Sequence, residues 1–165
     1  MTNIYLVGMP GCGKTTIGSL VSDKLGLSLV DLDEYIVEKT GRSIPEIFED
    51  GESSFRKIET DALEDIAADE NQLVATGGGI VTVKDNIDIM KRSGKVIFID
   101  ASVDFIMSNS SLDGRPLLKD KTKIHTLYKE RINLYRKSAD FTVLNDGILS
   151  DVCKRVEEVI RIKCK

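Results

Sequence analysis

Residues 8–15 read GMPGCGKT. Two glycines five apart, followed by lysine and threonine, form the pattern of a loop that cradles phosphate groups. Gly8 and Gly13 let backbone N–H groups turn inward onto an anion, and a helix beginning at the loop adds its partial positive charge. Lys14 would place a point charge at the oxygens of a polyphosphate, and the Thr15 hydroxyl would ligate a divalent cation. The template needs a strand before the loop and a helix after it, and both are predicted: NIYLV (3–7) and the segment from Lys14 to Leu25. Cys12 sits inside the loop near Lys14, where a thiol pKa can fall. A small residue at a variable loop position is the plainer reading, and the favoured one.

A cation at such a loop usually takes a second, acidic partner from the end of a strand. Two places offer one. VIFID ends at Asp100, and LVDLD carries Asp31 and Asp33 two apart, on one side of the chain if it is extended. Asp100 reads equally as a helix cap. Two same-side carboxylates at the carboxyl edge of a sheet need a cation nearby, which favours the 31/33 pair.

Three other stretches bear chemistry. FRKIE places Arg56 and Glu59 three apart on one helical face. TGGGI sets Gly77, Gly78 and Gly79 at the end of a predicted strand, where a close ligand or a tight turn would call for them. RINLY carries Arg131 and Tyr135 one turn apart.

The elements that would hold these residues alternate strand and helix. LSLVD (27–31), QLVAT (72–76), KVIFID (95–100) and DFTVL (140–144) are the further strands. SIPE (43–46) has the spacing of a capping box with proline in the first turn. A helix over about 53–69 would bury Phe55, Ile58, Ala62 and Ile66 on one stripe. Another over 84–93 would end with Gly94 as its C-cap. Helices over 124–137 and after Asp151, read as an N-cap, complete the pattern. Residues 108–123 are polar and rich in turn formers, the one stretch that looks mobile. Five strands joined through helices predict a parallel sheet inside a three-layer α/β/α sandwich.

Bulk composition narrows the classes. The 165 residues suit one domain, and 41% hydrophobic with 30% charged residues describe a globular chain. A net charge of −4 argues against nucleic acid or a membrane surface as principal partner. No run of about 20 apolar residues is present, and a strand at the start leaves no room for a signal peptide. Three cysteines without metal-ligand spacing point to a reducing cytoplasm. A single histidine disfavours a catalytic triad or a histidine-rich zinc site. The Asn/Thr-Lys-x-Asp motif that reads guanine is absent, which disfavours a guanine-nucleotide switch.

In order and spacing, GMPGCGKT, DLD, ESSFRKIE, TGGG, GRPLL and RINLY resemble the shikimate kinases, over about residues 3 to 144. The resemblance implies a P-loop NTPase sandwich of the nucleoside-monophosphate-kinase type, with a five-stranded parallel sheet in the order 2-3-1-4-5. It implies a single kinase domain over 1–165, with a substrate-binding helical segment at about 33–60 and a mobile lid at about 108–123. The implied reaction moves the γ-phosphate of ATP to the 3-hydroxyl of shikimate, on the route to chorismate and aromatic amino acids, in a cytoplasmic monomer.

The same resemblance implies roles. Gly11, Cys12, Gly13, Lys14, Thr15, Thr16 and Arg115 would surround ATP. Asp33 would hold the acceptor hydroxyls and take a proton, and Lys14 and Arg115 would act with it in catalysis. Arg56 and Arg131 would clamp the carboxylate of shikimate, Glu59 would orient Arg56, and Gly78 and Gly79 would offer backbone N–H groups. Thr15, with Asp31 through water, would hold Mg²⁺, so the resemblance also favours the 31/33 pair over Asp100. The loop LNDGIL (144–149) departs from the family, having neither a basic residue nor a proline, so backbone groups would contact adenine there.

Overall fold

All five residues of NIYLV (Asn3–Val7), strand β1, are buried. A continuous apolar run of this kind belongs to a parallel sheet covered on both faces. The computed structural model describes residues 2–109 and 121–164. After β1 come α1 (Lys14–Leu25), β2 (Ser28–Asp31), α2 (Leu32–Thr40), α3 (Ile44–Glu49), α4 (Glu52–Ala67) and β3 (Gln72–Ala75). A 3-10 turn (Ile80–Thr82) leads to α5 (Lys84–Ser93) and β4 (Gly94–Asp100). Next are α6 (Val103–Asn109), α7 (Lys121–Ser138), β5 (Phe141–Leu144) and α8 (Leu149–Lys163). Arg115 and the interior of the expected lid lie outside the described residues.

The sheet has the expected order, β2-β3-β1-β4-β5, with every pair parallel. Right-handed crossovers decide the layers. The chain steps from β1 to β2 in one direction and returns through β3, β4 and β5 in the other. That places α1 on one face and the β2–β3, β3–β4 and β4–β5 connections on the opposite face. After β5 the chain turns back, and α8 packs beside α1. The core includes Ile4, Leu6, Ile17, Leu73, Val96, Ile97 and Phe98, each at most 1% exposed. Asn3, equally buried, is satisfied: its amide donates to the Asp69 carbonyl at 2.7 Å and accepts from Gln72 N–H at 3.1 Å.

Several local expectations are met in detail. Ser43 and Glu46 close a full capping box at the start of α3, with proline in the first turn. On α4, Phe55, Ala62 and Ile66 are buried and Ile58 half-buried, but the stripe also buries Glu59. A carboxyl group on the core side of a helix needs a partner, and the site supplies it.

Two expectations are corrected. Asp31 and Asp33 are not alternating strand residues: the strand stops at Asp31, which caps α2 by accepting from Glu34 N–H at 3.1 Å. Asp33 and Glu34 then occupy the first helical turn, where the helix dipole favours carboxylates. Gly94 caps α5 as expected, in an extended conformation with φ of −173°, and it also opens β4. It is glycine because a Cβ there would collide with the Asn3 carbonyl oxygen of the neighbouring strand. Asp151 lies in the first turn of α8 rather than at its N-cap, which is Ile148.

Candidate active site

The phosphate-loop residues meet at the carboxyl end of β1. Gly11 and Gly13 have φ of 80° and 100°, a region that L side chains rarely adopt, and Gly13 is the N-cap of α1. With glycine there, the loop curls back on itself, Cys12 N–H donating to the Met9 carbonyl at 3.1 Å. Lys14 is only 7% exposed, and its ammonium donates to the Gly8 carbonyl at 2.7 Å and the Met9 carbonyl at 3.0 Å. The loop is braced from β5: the Asn145 side-chain amide donates to the Cys12 carbonyl at 2.8 Å. Cys12 itself is fully buried, as a small packed loop residue would be.

From the loop, α1 reaches across to α2. Thr15 Oγ1 donates to Asp31 Oδ2 at 2.8 Å, while Asp31 Oδ1 holds the first turn of α2. A cleft of about 360 Å³ opens here. Gly11, Gly13, Lys14, Thr15 and Thr16 form one wall, Asp31, Asp33 and Glu34 a second, and Thr76, Gly77 and Gly78 the third. Asp100 is not in this lining. Among the described residues no cluster of three or more histidine, cysteine or acidic side chains is placed to hold a metal by itself. Thr15 and Asp31 instead present two oxygen ligands beside a phosphate loop, a set suited to Mg²⁺, which keeps several waters and binds mainly through phosphates.

Behind the third wall lies Arg56. Arg56 Nη1 donates to Glu59 Oε1 at 2.9 Å, and Nη2 reaches Glu52 at 3.4 Å. Glu59 is wholly buried, and burial pushes its carboxyl above the usual carboxylate range. Arg56 and Arg131 oppose that rise, and Asp33 adds to it. Three elements therefore converge on one carboxyl group: α4 with Arg56, α7 with Arg131 and α2 with Asp33.

The glycines explain how they approach so closely. A Cβ on Gly77 would sit 3.1 Å from Glu59 Oε2 and 3.4 Å from Asp33 Oδ1. One on Gly78 would stand 2.6 Å from Pro10, and one on Gly79 would overlap the Arg56 guanidinium. The triple glycine is a place where backbone is pressed between two charged groups and the phosphate loop.

Thr76 and Glu34 line the cleft without being marked by the sequence, and Gly77, marked there only as part of the glycine run, lines it with them. Their signal was adjacency, to TGGG and to DLD. Asn145 carried no signal, because its contact spans 133 positions. A groove of about 480 Å³ between β5 and α8 is larger than the cleft, but mostly apolar and lined by none of these residues. The donors and charges, rather than the volume, mark the site.

The chain as a whole is similar to known proteins. The family model described as shikimate kinase matches residues 10–161. The chain is 46% identical to a shikimate kinase of Clostridium botulinum (strain Alaska E43 / Type E3) over 158 residues, 95% of this chain and 96% of that protein. It is 42% identical to a shikimate kinase of Clostridium beijerinckii, over 95% of this chain and 94% of the relative. Among solved structures, the shikimate kinase of Acinetobacter baumannii in complex with shikimate superposes with a TM-score of 0.91 at 36% identity, covering 100% of this chain and 96% of that one.

Proposed function

The chain belongs to the shikimate kinase family, and from that premise we propose how its residues divide the work of an ATP-dependent kinase. The reaction transfers the γ-phosphate of ATP to the 3-hydroxyl of shikimate, giving shikimate 3-phosphate and ADP. ATP lies with its phosphates over Gly11–Thr16, and shikimate lies between Asp33 and the arginines. One observation carries the assignment: Gly77, in the wall of the phosphate cleft, stands between Asp33 and a buried Glu59 that holds the Arg56 guanidinium at 2.9 Å.

The acceptor is a small anion bearing hydroxyl groups. Its carboxylate needs planar, forked cations, which Arg56 and Arg131 supply. Glu59 holds one nitrogen of Arg56 and so fixes the direction of the fork. At the other end Asp33 accepts hydrogen bonds from the hydroxyls and takes the proton of the attacking one. The new bond joins that oxygen to the γ-phosphorus as the bond to the β–γ bridging oxygen breaks, and ADP leaves with the electron pair. Phosphoryl transfer asks mainly for alignment and charge neutralisation, so a strong base is unnecessary. Lys14 turns from the loop carbonyls to the transferring phosphate, and Gly78 and Gly79 present N–H groups to ligand oxygens. Arg115, outside the described residues, adds a further cation at the phosphates. Thr15 directly, and Asp31 through water, would hold Mg²⁺, which neutralises charge on the phosphates when bound. With no side chain in 144–149 fitted to stack on a base, backbone groups of that loop contact adenine.

The whole chain works as one domain, with acceptor-binding residues in 33–60 and the lid in 108–123, as a cytoplasmic monomer. No helix among the described residues is long and apolar enough to cross a membrane. An ADP-release assay with shikimate, gluconate and AMP as separate acceptors tests the function. Turnover with shikimate alone is expected, and silence with shikimate would refute it. Light scattering on the eluted protein tests the monomer.

A further inference from the structure

Tyr135 has no place in the scheme above, yet it is among the largest fully buried side chains of the protein. Its ring stacks on Phe98 of β4 with centroids 5.2 Å apart and planes 20° apart. Its hydroxyl donates to the Gly78 carbonyl at 2.5 Å, across 57 positions of sequence. Burial raises the hydroxyl's pKa, and Arg131 works against that rise, so at neutral pH the group is a firm donor. The hydroxyl thus meets a backbone oxygen of the glycine wall on one side and the Arg131 side chain on the other.

That oxygen is not an arbitrary one. Gly78 is already trapped on its other side, where a Cβ would stand 2.6 Å from Pro10 of the phosphate loop. A trans peptide is planar, with its C=O and N–H pointing to opposite sides. Holding the Gly78 carbonyl therefore also sets the direction of the Gly79 N–H. Tyr135 lies one helical turn after Arg131, on the same face of α7. The same hydrogen bond fixes the register of that turn against the glycine wall.

We propose that Tyr135 is a positioning residue for the acceptor: its hydroxyl locks the Gly78–Gly79 peptide and the Arg131 turn of α7 into one unit, so that the Gly79 N–H and the Arg131 guanidinium reach the same bound molecule. This rests on the assignment of the acceptor to the cleft wall made above. It differs from a packing role in what it affects. Packing belongs to the ring and its stack on Phe98, whereas positioning belongs to the hydroxyl.

Tyr135→Phe separates the two, since it keeps the ring. The expected result is a rise in the KM for shikimate of roughly threefold to tenfold, the worth of one ordinary hydrogen bond. The KM for ATP and kcat should stay within about twofold, a pattern of lost acceptor binding. An unchanged KM for shikimate, or a fall of kcat with both KM values raised alike, would overturn the proposal. Should the variant fail to fold, ¹⁵N-glycine-labelled wild-type protein decides. The Gly79 amide resonance must move on titration with shikimate, and an unmoved resonance at saturation overturns the proposal. Wild-type enzyme silent with shikimate would instead defeat the assignment of function, so the two failures are distinguishable.

Discussion

The hydroxyl of Thr15 and the carboxylate of Asp31 lie 2.8 Å apart, tying the first turn of α1 to the cap of α2. Asp31 does two jobs at once. One oxygen faces Thr15 in the phosphate cleft and the other holds the Glu34 N–H, so the cleft-facing oxygen is aimed by the start of a helix.

Asp31→Asn separates these jobs, because asparagine caps a helix about as well as aspartate. Thermal stability should be unchanged, while the Mg²⁺ concentration for half-maximal activity rises about tenfold, as for partners that support a bound metal through an intermediate ligand. Asp31→Ala should lose both, with an added cost of about 1 kcal/mol from the missing cap. A calorimetric melt beside a Mg²⁺ titration of activity reads each effect. Equal Mg²⁺ dependence in Asp31→Asn and wild type would remove Asp31 from the metal site.

Much of this site is written locally, and some is not. The phosphate loop, the capping box of α3 and a parallel sheet follow from short-range patterns, the order of its strands follows from the family resemblance, and the structure agrees with them. The DLD segment is legible as a site, but its place after an apolar strand run points to extended chain where a helix begins. Aspartate followed by two acidic residues, with Leu32 and Ile36 buried four apart, is a helix start. Gly94 and Tyr135 were not legible in the same way. One answers to a carbonyl on a neighbouring strand and the other to a glycine 57 positions away. Such contacts exist only once the sheet has formed.

Lys14 and Arg131 should fail differently. In the proposed arrangement Lys14→Met removes the cation that meets charge developing on the transferring phosphate, so kcat should fall by about 10³-fold or more with little change in the KM for shikimate. In the proposed arrangement Arg131→Ala removes a contact with the acceptor present before and during transfer. Its main effect should be a rise in the KM for shikimate of about tenfold or more. Initial-rate kinetics with each substrate varied read both, and an unchanged KM in Arg131→Ala would sink the two-arginine clamp.

Glu59 makes the stability of an Arg56 variant depend on pH. Burial holds its carboxyl above the ordinary value, and Arg56 pulls it back down by charge and by a hydrogen bond. A carboxyl group raised on folding favours the fold where it is protonated, below its unfolded pKa, and that contribution is lost as pH rises through the folded value. Arg56→Met strips away the lowering influence, so the deficit relative to wild type should be small near about pH 4 and grow to on the order of 3 kcal/mol by about pH 8. Adding Glu59→Gln should flatten the dependence. Urea unfolding across that range gives the answer, and a deficit constant with pH would mean that Glu59 is not the group responsible.

Gly79 and Gly41 offer a crossed test of what a methyl group does in two settings. Gly41 caps α2 with φ of 68°, and a Cβ there would meet nothing within 4 Å. Gly41→Ala should therefore cost about 1 kcal/mol of stability through backbone strain alone and leave the KM for shikimate unchanged. Gly79 has φ of −94°, which alanine adopts freely, but the new methyl would overlap the Arg56 guanidinium. That guanidinium is the flexible end of a long side chain, so the fold can yield by moving it, and moving it takes the fork out of line with the acceptor. Gly79→Ala should melt within a few degrees of wild type yet raise the KM for shikimate by about tenfold or more, the worth of a charge-assisted contact. If Gly79→Ala instead bound shikimate normally, Arg56 could not be gripping its carboxylate from the position it now holds.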